Sequence, residues 1–119
     1  MKIKNHLVNN TRIAEVNSED FIILSVEDAV DLLGNLYYSD YDSIIIHEKN
    51  IGSAFFNLKT GMAGAILQKF ANFRVRLIVI GHFEKYESQH LKQLILECNK
   101  GKQVNFVGSI AEALNRLTL

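Results

Sequence analysis

Ser43-Ile44-Ile45-Ile46-His47 and Arg76-Leu77-Ile78-Val79-Ile80 are two short, nearly unbroken apolar runs. Between them, in the stretch from Asp42 to Gly81, lies a segment carrying Lys59-Thr60-Gly61 and a run rich in small residues. Apolar runs of this length, joined by a helix, read as parallel strands buried on both faces. That reading singles out one edge of the molecule. Glu48, Gly81-His82 and Gly108-Ser109 follow their strands directly, and ligands of open α/β sheets bind beyond the carboxyl ends of the strands.

Working outward, Ile3 to Val8 and Arg12 to Val16 are strand-like and are separated by Asn9-Asn10, a pair that tolerates the left-handed conformations of a hairpin turn. Phe21 to Leu24 is either a short strand or the lead-in to a helix. Ser25 opens Ser-Val-Glu-Asp, a cap followed by acids that complement the positive helix end. Val26, Ala29, Val30, Leu33 and Tyr37 then form one stripe expected to face a sheet.

Phe55 and Phe56 in the connector Gly52 to Leu58 are expected inside. A helix is expected from about Thr60 to Asn72, with Gly61, Ala63, Gly64 and Ala65 permitting close approach to the sheet. Leu91, Leu94, Ile95 and Cys98 repeat at helical spacing between Ser88 and Lys100, and Gly101 supplies a stop. Gln103 to Val107 is a last strand. Ser109-Ile110-Ala111-Glu112 is a capping box for a helix carrying Ala113, Leu114 and Leu117. The sequence therefore predicts a single α/β domain over residues 1–119, with a mixed, mostly parallel sheet of four or five strands and about four helices.

Composition narrows the function classes. Thirteen basic residues balance thirteen acidic ones, so the formal charge is zero and no global field attracts nucleic acid or an anionic membrane. At 48% hydrophobic and 22% charged, the chain has an ordinary globular composition. Its length allows about two thirds of the unfolded surface to be buried. Cys98 is the only cysteine, which excludes an internal disulfide or a multi-cysteine metal site and fits a reducing cytoplasm. Met1 to His6 has no apolar run behind it, and no stretch approaches the ~18 apolar residues of a span, so neither signal peptide nor membrane segment is expected.

From Ser43 onward, the strand, the polar connector, a Thr-Gly step opening a small-residue helix, the next strand and a Ser-capped terminal helix resemble the STAS domain of bacterial anti-sigma factor antagonists. Five shorter segments are similar to a small bacterial family known as domain of unknown function 4180. These are His47-Glu48-Lys49-Asn50, Asn57-Leu58-Lys59-Thr60-Gly61, Leu67-Gln68-Lys69-Phe70, Arg74-Val75-Arg76-Leu77 and Asn99-Lys100-Gly101. The second resemblance implies relatives but no activity. The STAS resemblance implies a STAS-like regulatory fold in which a Ser or Thr before Gly at this helix start is phosphorylated, switching a partner off.

Thr60 before Gly61 is the position that matches, with Lys59 beside it and Leu58-Lys59 where the antagonist motif has an acid. A phosphate there would meet free amides and the positive end of the helix dipole. The plain alternative, and the one the residues favour, is that Thr60 is simply an N-cap.

His47, Glu48 and His82 form a second constellation, because the ends of adjacent strands could bring imidazole and carboxylate together for acid-base or metal chemistry. No His-x-x-x-His or His-Glu-x-x-His spacing accompanies them, so no metal or other cofactor is expected. The plain alternative is a polar pocket for His47 and pairing of Glu48 with Lys49, Lys59 or Arg74. Gly61-Met62-Ala63-Gly64 lacks the completing residues of a P-loop or dinucleotide fingerprint, and Cys98 reads as a core residue.

Two functional readings follow. One is a non-enzymatic interaction or regulatory domain presenting Lys59-Thr60-Gly61 to an unidentified protein partner, with a small anion as a further candidate ligand. The other is a small enzyme or ligand-binding protein using His47, Glu48 and His82. Neither involves nucleic acid or a membrane, and the sequence assigns no oligomeric state.

Overall fold

The computed structural model describes residues 1–118 of the chain. Its elements run β1 (Lys2–Val8), β2 (Thr11–Asn17), α1 (Val26–Tyr38), β3 (Ser43–His47), α2 (Met62–Phe73), β4 (Arg76–Ile80), α3 (Gln89–Lys100), β5 (Val104–Val107) and α4 (Ile110–Thr118). Three short 3-10 turns fill the long connection between β3 and α2. One five-stranded sheet has the order β1-β2-β3-β4-β5. The β1–β2 pair is antiparallel, and every other pairing is parallel. Ile45 lies opposite Ile78.

Each feature has a local cause. Asn9 and Asn10 take positive φ angles of 50° and 64°, the left-handed pair that a tight hairpin turn requires. Because β2 to β5 follow one another across the sheet, three crossovers of one hand place α1, α2 and α3 on the same face. Their core includes Leu33, Ile66, Phe70 and Leu91 against Ile44, Ile46 and Val79. The opposite face carries Ile13, Ile45, Ile78, Ile80 and Val107 and is covered by α4 through Ala113 and Leu117. Both faces of the central strands are therefore dry, which explains their unbroken Ile and Val runs.

Some expectations shift. The buried stripe of α1 is Ala29, Leu32, Leu33 and Leu36, rotated from the predicted one. Tyr37 is exposed and packs edge-on against Phe73 at the helix end. Phe21 to Leu24 forms no strand of its own and contributes one isolated parallel bridge, Ile23 to Ile51.

The helix after Thr60 begins at Met62. Gly61 takes φ 76° ahead of it, a conformation that favours glycine. Gly64 has open space where a Cβ would stand, so it does not serve close packing. In α3 only Leu91 is fully buried, while Leu94, Ile95 and Cys98 are partly buried against the core. Burial and the neighbouring Glu97 push the Cys98 thiol up, away from the reactive thiolate. Phe55 and Phe56 are buried as expected.

The capping box also forms with a variation. Ser109 Oγ accepts from the Glu112 amide at 3.1 Å, but the Glu112 carboxylate returns to the Gly108 amide at 3.3 Å rather than to the cap itself. No helix among the described residues is long and apolar enough to cross a membrane.

Candidate functional site

The carboxyl ends of β3 and β4 open onto a cavity of about 600 Å³. His47, Glu48 and His82 all line it, with Lys49, Lys85 and Tyr86. Parallel pairing of His47 with Ile80 sets both strands to end at the same level, which brings the three candidates to one wall. Their side chains nevertheless do not form one constellation. His47 is the last residue of its strand and shares a sheet face with Ile45, so its ring lies over the α4 side. Glu48 starts the next turn and points the other way.

Glu48 is held by three donors from the segment that follows β4. Its Oε1 accepts from the His82 backbone amide at 3.0 Å. Its Oε2 lies 2.8 Å from Lys85 Nζ and also accepts from the Tyr86 hydroxyl. The expected pairing with Lys49, Lys59 or Arg74 is thus replaced by Lys85. The strand order explains the change, because the β4–α3 connection crosses directly over the end of β3.

Burial raises the carboxyl pKa of Glu48, but Lys85, Tyr86 and the His82 amide outweigh it and leave it below the ordinary value. Tyr86 is shifted the opposite way, since burial and the neighbouring carboxylate both disfavour a phenolate. Its ring stacks on Phe56 with centroids 5.1 Å apart. Gly81 makes the approach of Glu48 possible. A Cβ there would stand 2.6 Å from Glu48 Cβ and 3.0 Å from the Phe83 ring.

His47 has a partner that sequence reasoning missed. Its Nε2 lies 3.1 Å from Glu15 Oε2, and His6 Nε2 lies 2.9 Å from Glu15 Oε1. One carboxylate therefore bridges imidazoles from β1 and β3 across the intervening β2. Glu15 is 7% exposed. Burial pushes its pKa up, but the hydrogen bonds and charges of His6 and His47 prevail and hold it below the ordinary value. As the two imidazoles bind different oxygens, this is a hydrogen-bonded clamp. Among the described residues no group of three or more His, Cys, Asp or Glu is arranged to hold a metal ion. The available signal was a lone acid in Ile13-Ala14-Glu15-Val16, an otherwise apolar strand.

Asn50 is a second missed residue, fully buried, with its Nδ2 donating to Ser18 O at 2.9 Å and Asp20 O at 2.8 Å. Those bonds, with the Ile22 amide on Asn50 O at 2.7 Å, pin the Ser18 to Leu24 loop against the turn after β3. As a result, Phe21 stands 60% exposed at the rim of the cavity.

Thr60 and Lys59 are exposed a short way along the same edge. Lys59 lines a neighbouring cavity that shares Phe56 and Tyr86 with the first. Thr60 Oγ1 accepts from the Met62 amide at 3.2 Å and lies 2.7 Å from Ala54 O and 2.9 Å from Asn57 O, either of which can take its proton. The hydroxyl thus serves the first amide of α2, although Gly61 occupies the cap position.

No curated protein and no solved structure matches the chain. Residues 8–117 match the family described as Domain of unknown function (DUF4180). That span includes Glu15, His47, Glu48, Thr60, Gly81, His82, Lys85 and Tyr86, whereas His6 precedes it. On a match across nearly its whole length, the chain belongs to the DUF4180 family.

Proposed function

We propose that this protein is a non-enzymatic, STAS-like regulatory or interaction domain that engages a protein partner through the carboxyl edge of its sheet, with Lys59-Thr60-Gly61 as part of the contact. The observation that carries this reading is the division of labour along the edge. Glu48 and His47 are committed to partners within the fold, while Lys49, Lys59, His82, Phe21 and Leu24 are turned outward, with the exposed acids Asp20, Glu84 and Glu87 among them. Exposed apolar side chains ringed by charges of both signs are suited to a protein partner.

The same arrangement supplies a regulatory direction. A phosphate on Thr60 would sit at the start of α2 beside Lys59, stabilised by the Met62 amide and the helix dipole. It would also offset the Lys59 charge and add bulk within the contact, so modification opposes binding. The single cysteine, raised in pKa and half-buried, suits the reducing cytoplasm we propose as its setting.

A second reading, a small-ligand or catalytic role for the cavity, is favoured by one observation. His47 lines the cavity while a buried carboxylate fixes one of its nitrogens, the arrangement that orients an imidazole for proton transfer.

The deciding experiment is co-purification from the native host with wild type, Lys59→Glu and Thr60→Glu, read by mass spectrometry for partner and phosphosite. Both variants should capture less partner, with Thr60→Glu losing on the order of 1 kcal/mol because glutamate is a partial mimic of phosphate. Equal capture by all three folded proteins would place the interface elsewhere and leave Thr60 as a structural hydroxyl.

A further inference from the structure

Three donors from one short segment converge on a single carboxylate at this edge. Lys85 Nζ and the Tyr86 hydroxyl meet Glu48 Oε2, and the His82 backbone amide meets Oε1. An ammonium, a hydroxyl and an amide around one oxyanion are the donor set that recognises a carboxylate or phosphate. The acceptor comes from a different element, 34 residues before His82 and 38 before Tyr86. The Glu48 side chain is only 12% exposed, yet Lys85, whose side chain is 60% exposed, reaches solvent from the same cluster. The donors border the cavity of about 600 Å³, in whose lining Glu48 is, among the described residues, the only acid beside Lys49 and Lys85. A second acidic group therefore has both room and favourable charge next to the first.

We propose that Lys85, Tyr86 and the His82 amide form a receptor for a carboxylate or phosphate group on an incoming ligand, and that Glu48 is its resident occupant, an internal stand-in that the ligand displaces. Because Glu48 is tethered beside the donors, it competes at high effective concentration. The protein consequently shows an apparent affinity reduced to the fraction of time that Glu48 vacates. The donors belong to the segment carrying Phe83 and Tyr86, which pack on Phe106 and Phe56. The receptor is thereby held on the core, and displacement requires motion of the Glu48 side chain rather than of the sheet.

The proposal rests on this edge being a binding surface, and the two readings fail separately. The test is amide NMR of the full chain at fixed ionic strength, titrated with inorganic phosphate, with acetate and with a capped acidic peptide. These three arms distinguish a free phosphate, a free carboxylate and a carboxylate carried on a polypeptide. Phosphate or acetate should move the His82 and Tyr86 amides of Glu48→Ala with an affinity about tenfold or more tighter than that of wild type. Lys85→Gln in the Glu48→Ala background should erase the gain. Glu48→Gln, which keeps the side-chain volume, should show a smaller gain and stands in if the alanine variant does not fold. If neither folds, wild type decides, since saturating phosphate must then move the His82 amide together with the Glu48 carboxyl carbon.

Silence at His82 and Tyr86 with all three probes, or a response unchanged by Lys85→Gln, overturns the receptor. Silence there beside a partner captured through Lys59 sinks the receptor alone. Phosphate binding beside partner capture that ignores Lys59 and Thr60 sinks only the partner reading.

Discussion

His6→Ala tests the clamp that joins three strands over the α4 face. The imidazole donates to Glu15 Oε1 at 2.9 Å, and the side chains of Glu15 and His6 are 10% and 16% exposed. Removing it deprives a nearly buried carboxylate of one of its two imidazole partners. A hydrogen bond to a charged group contributes about 1.5–3 kcal/mol. Water entering the gap left by the ring on an edge strand restores part of this, so the expected cost at pH 7 is about 1–2.5 kcal/mol. Glu15→Gln removes the charge that both histidines serve. The double variant should therefore lose less than the sum of the singles, with a coupling of roughly 1 kcal/mol.

Acid gives an independent check. The Glu15 pKa is held below its ordinary value of 4.5. A carboxylate depressed in the folded state contributes stability that is fully present above the unfolded pKa and is lost as pH falls through the folded one. His6→Ala removes part of that depression. Its deficit relative to wild type should shrink below about pH 4.5 as Glu15 is protonated in both proteins. Urea unfolding at a series of pH values measures it. A cost under about 0.5 kcal/mol at pH 7, or a deficit that persists unchanged in acid, would refute the clamp as an energetic feature.

Gly81→Ala should destabilise by about 1–3 kcal/mol through overpacking against Glu48 and Phe83, despite the gain normally expected when glycine is replaced; equal or greater stability in denaturant would show that the close approach is soft. Leu91→Ala should cost about 3–5 kcal/mol and Leu94→Ala about 1–2.5, because only the first is fully buried; the reverse ranking would mean that α3 is rotated. Asn50→Ala should cost about 1–3 kcal/mol by stranding Ser18 O and Asp20 O and should broaden the amide signals of Phe21 and its neighbours; sharp, unshifted signals would show that another contact pins that loop. Chelation should leave the melting temperature unchanged, as the clamp and the Glu48 cluster hold themselves by hydrogen bonds; a drop that a divalent metal reverses would contradict this.

The fold was legible because its evidence is periodic and local. The Ile and Val runs could only be strands covered on both sides, and Asn9-Asn10, Ser25 and Ser109 are local stop and start signals that act within a few residues. The rotated stripe of α1 shows where that legibility ends. Val30 and Tyr37 fit a helical period as well as Leu32 and Leu36 do, and only the position of α2 decides which side is covered. Gly64 was misjudged for a related reason, since a small residue in a helix marks a close approach only when a neighbour stands there.

The partnerships at the site were illegible because strand order creates them. Glu48 meets Lys85 because the β4–α3 connection passes over the end of β3. Glu15 meets His6 and His47 because β2 lies between β1 and β3. Spacing along the chain carries neither fact.

His47 and Glu48 are adjacent in the sequence and invite treatment as one acid-base unit, yet they belong to different halves of the molecule. The pleat puts His47 on the face covered by α4, the face that also carries Glu15 and His6, whereas the turn after β3 puts Glu48 beneath the segment that leads into α3. Each residue closes a separate network, and each network ties one side of β3 to a neighbouring element. The end of β3 is therefore where the hairpin half and the crossover half of the sheet are both anchored. A ligand that displaces Glu48 would loosen the α3 side and leave the Glu15 clamp closed. Phosphate added to Glu48→Ala should accordingly perturb residues 81–88 while sparing the amides of His6, Glu15 and His47, and a perturbation spreading equally to both sets would mean that the two networks act as one.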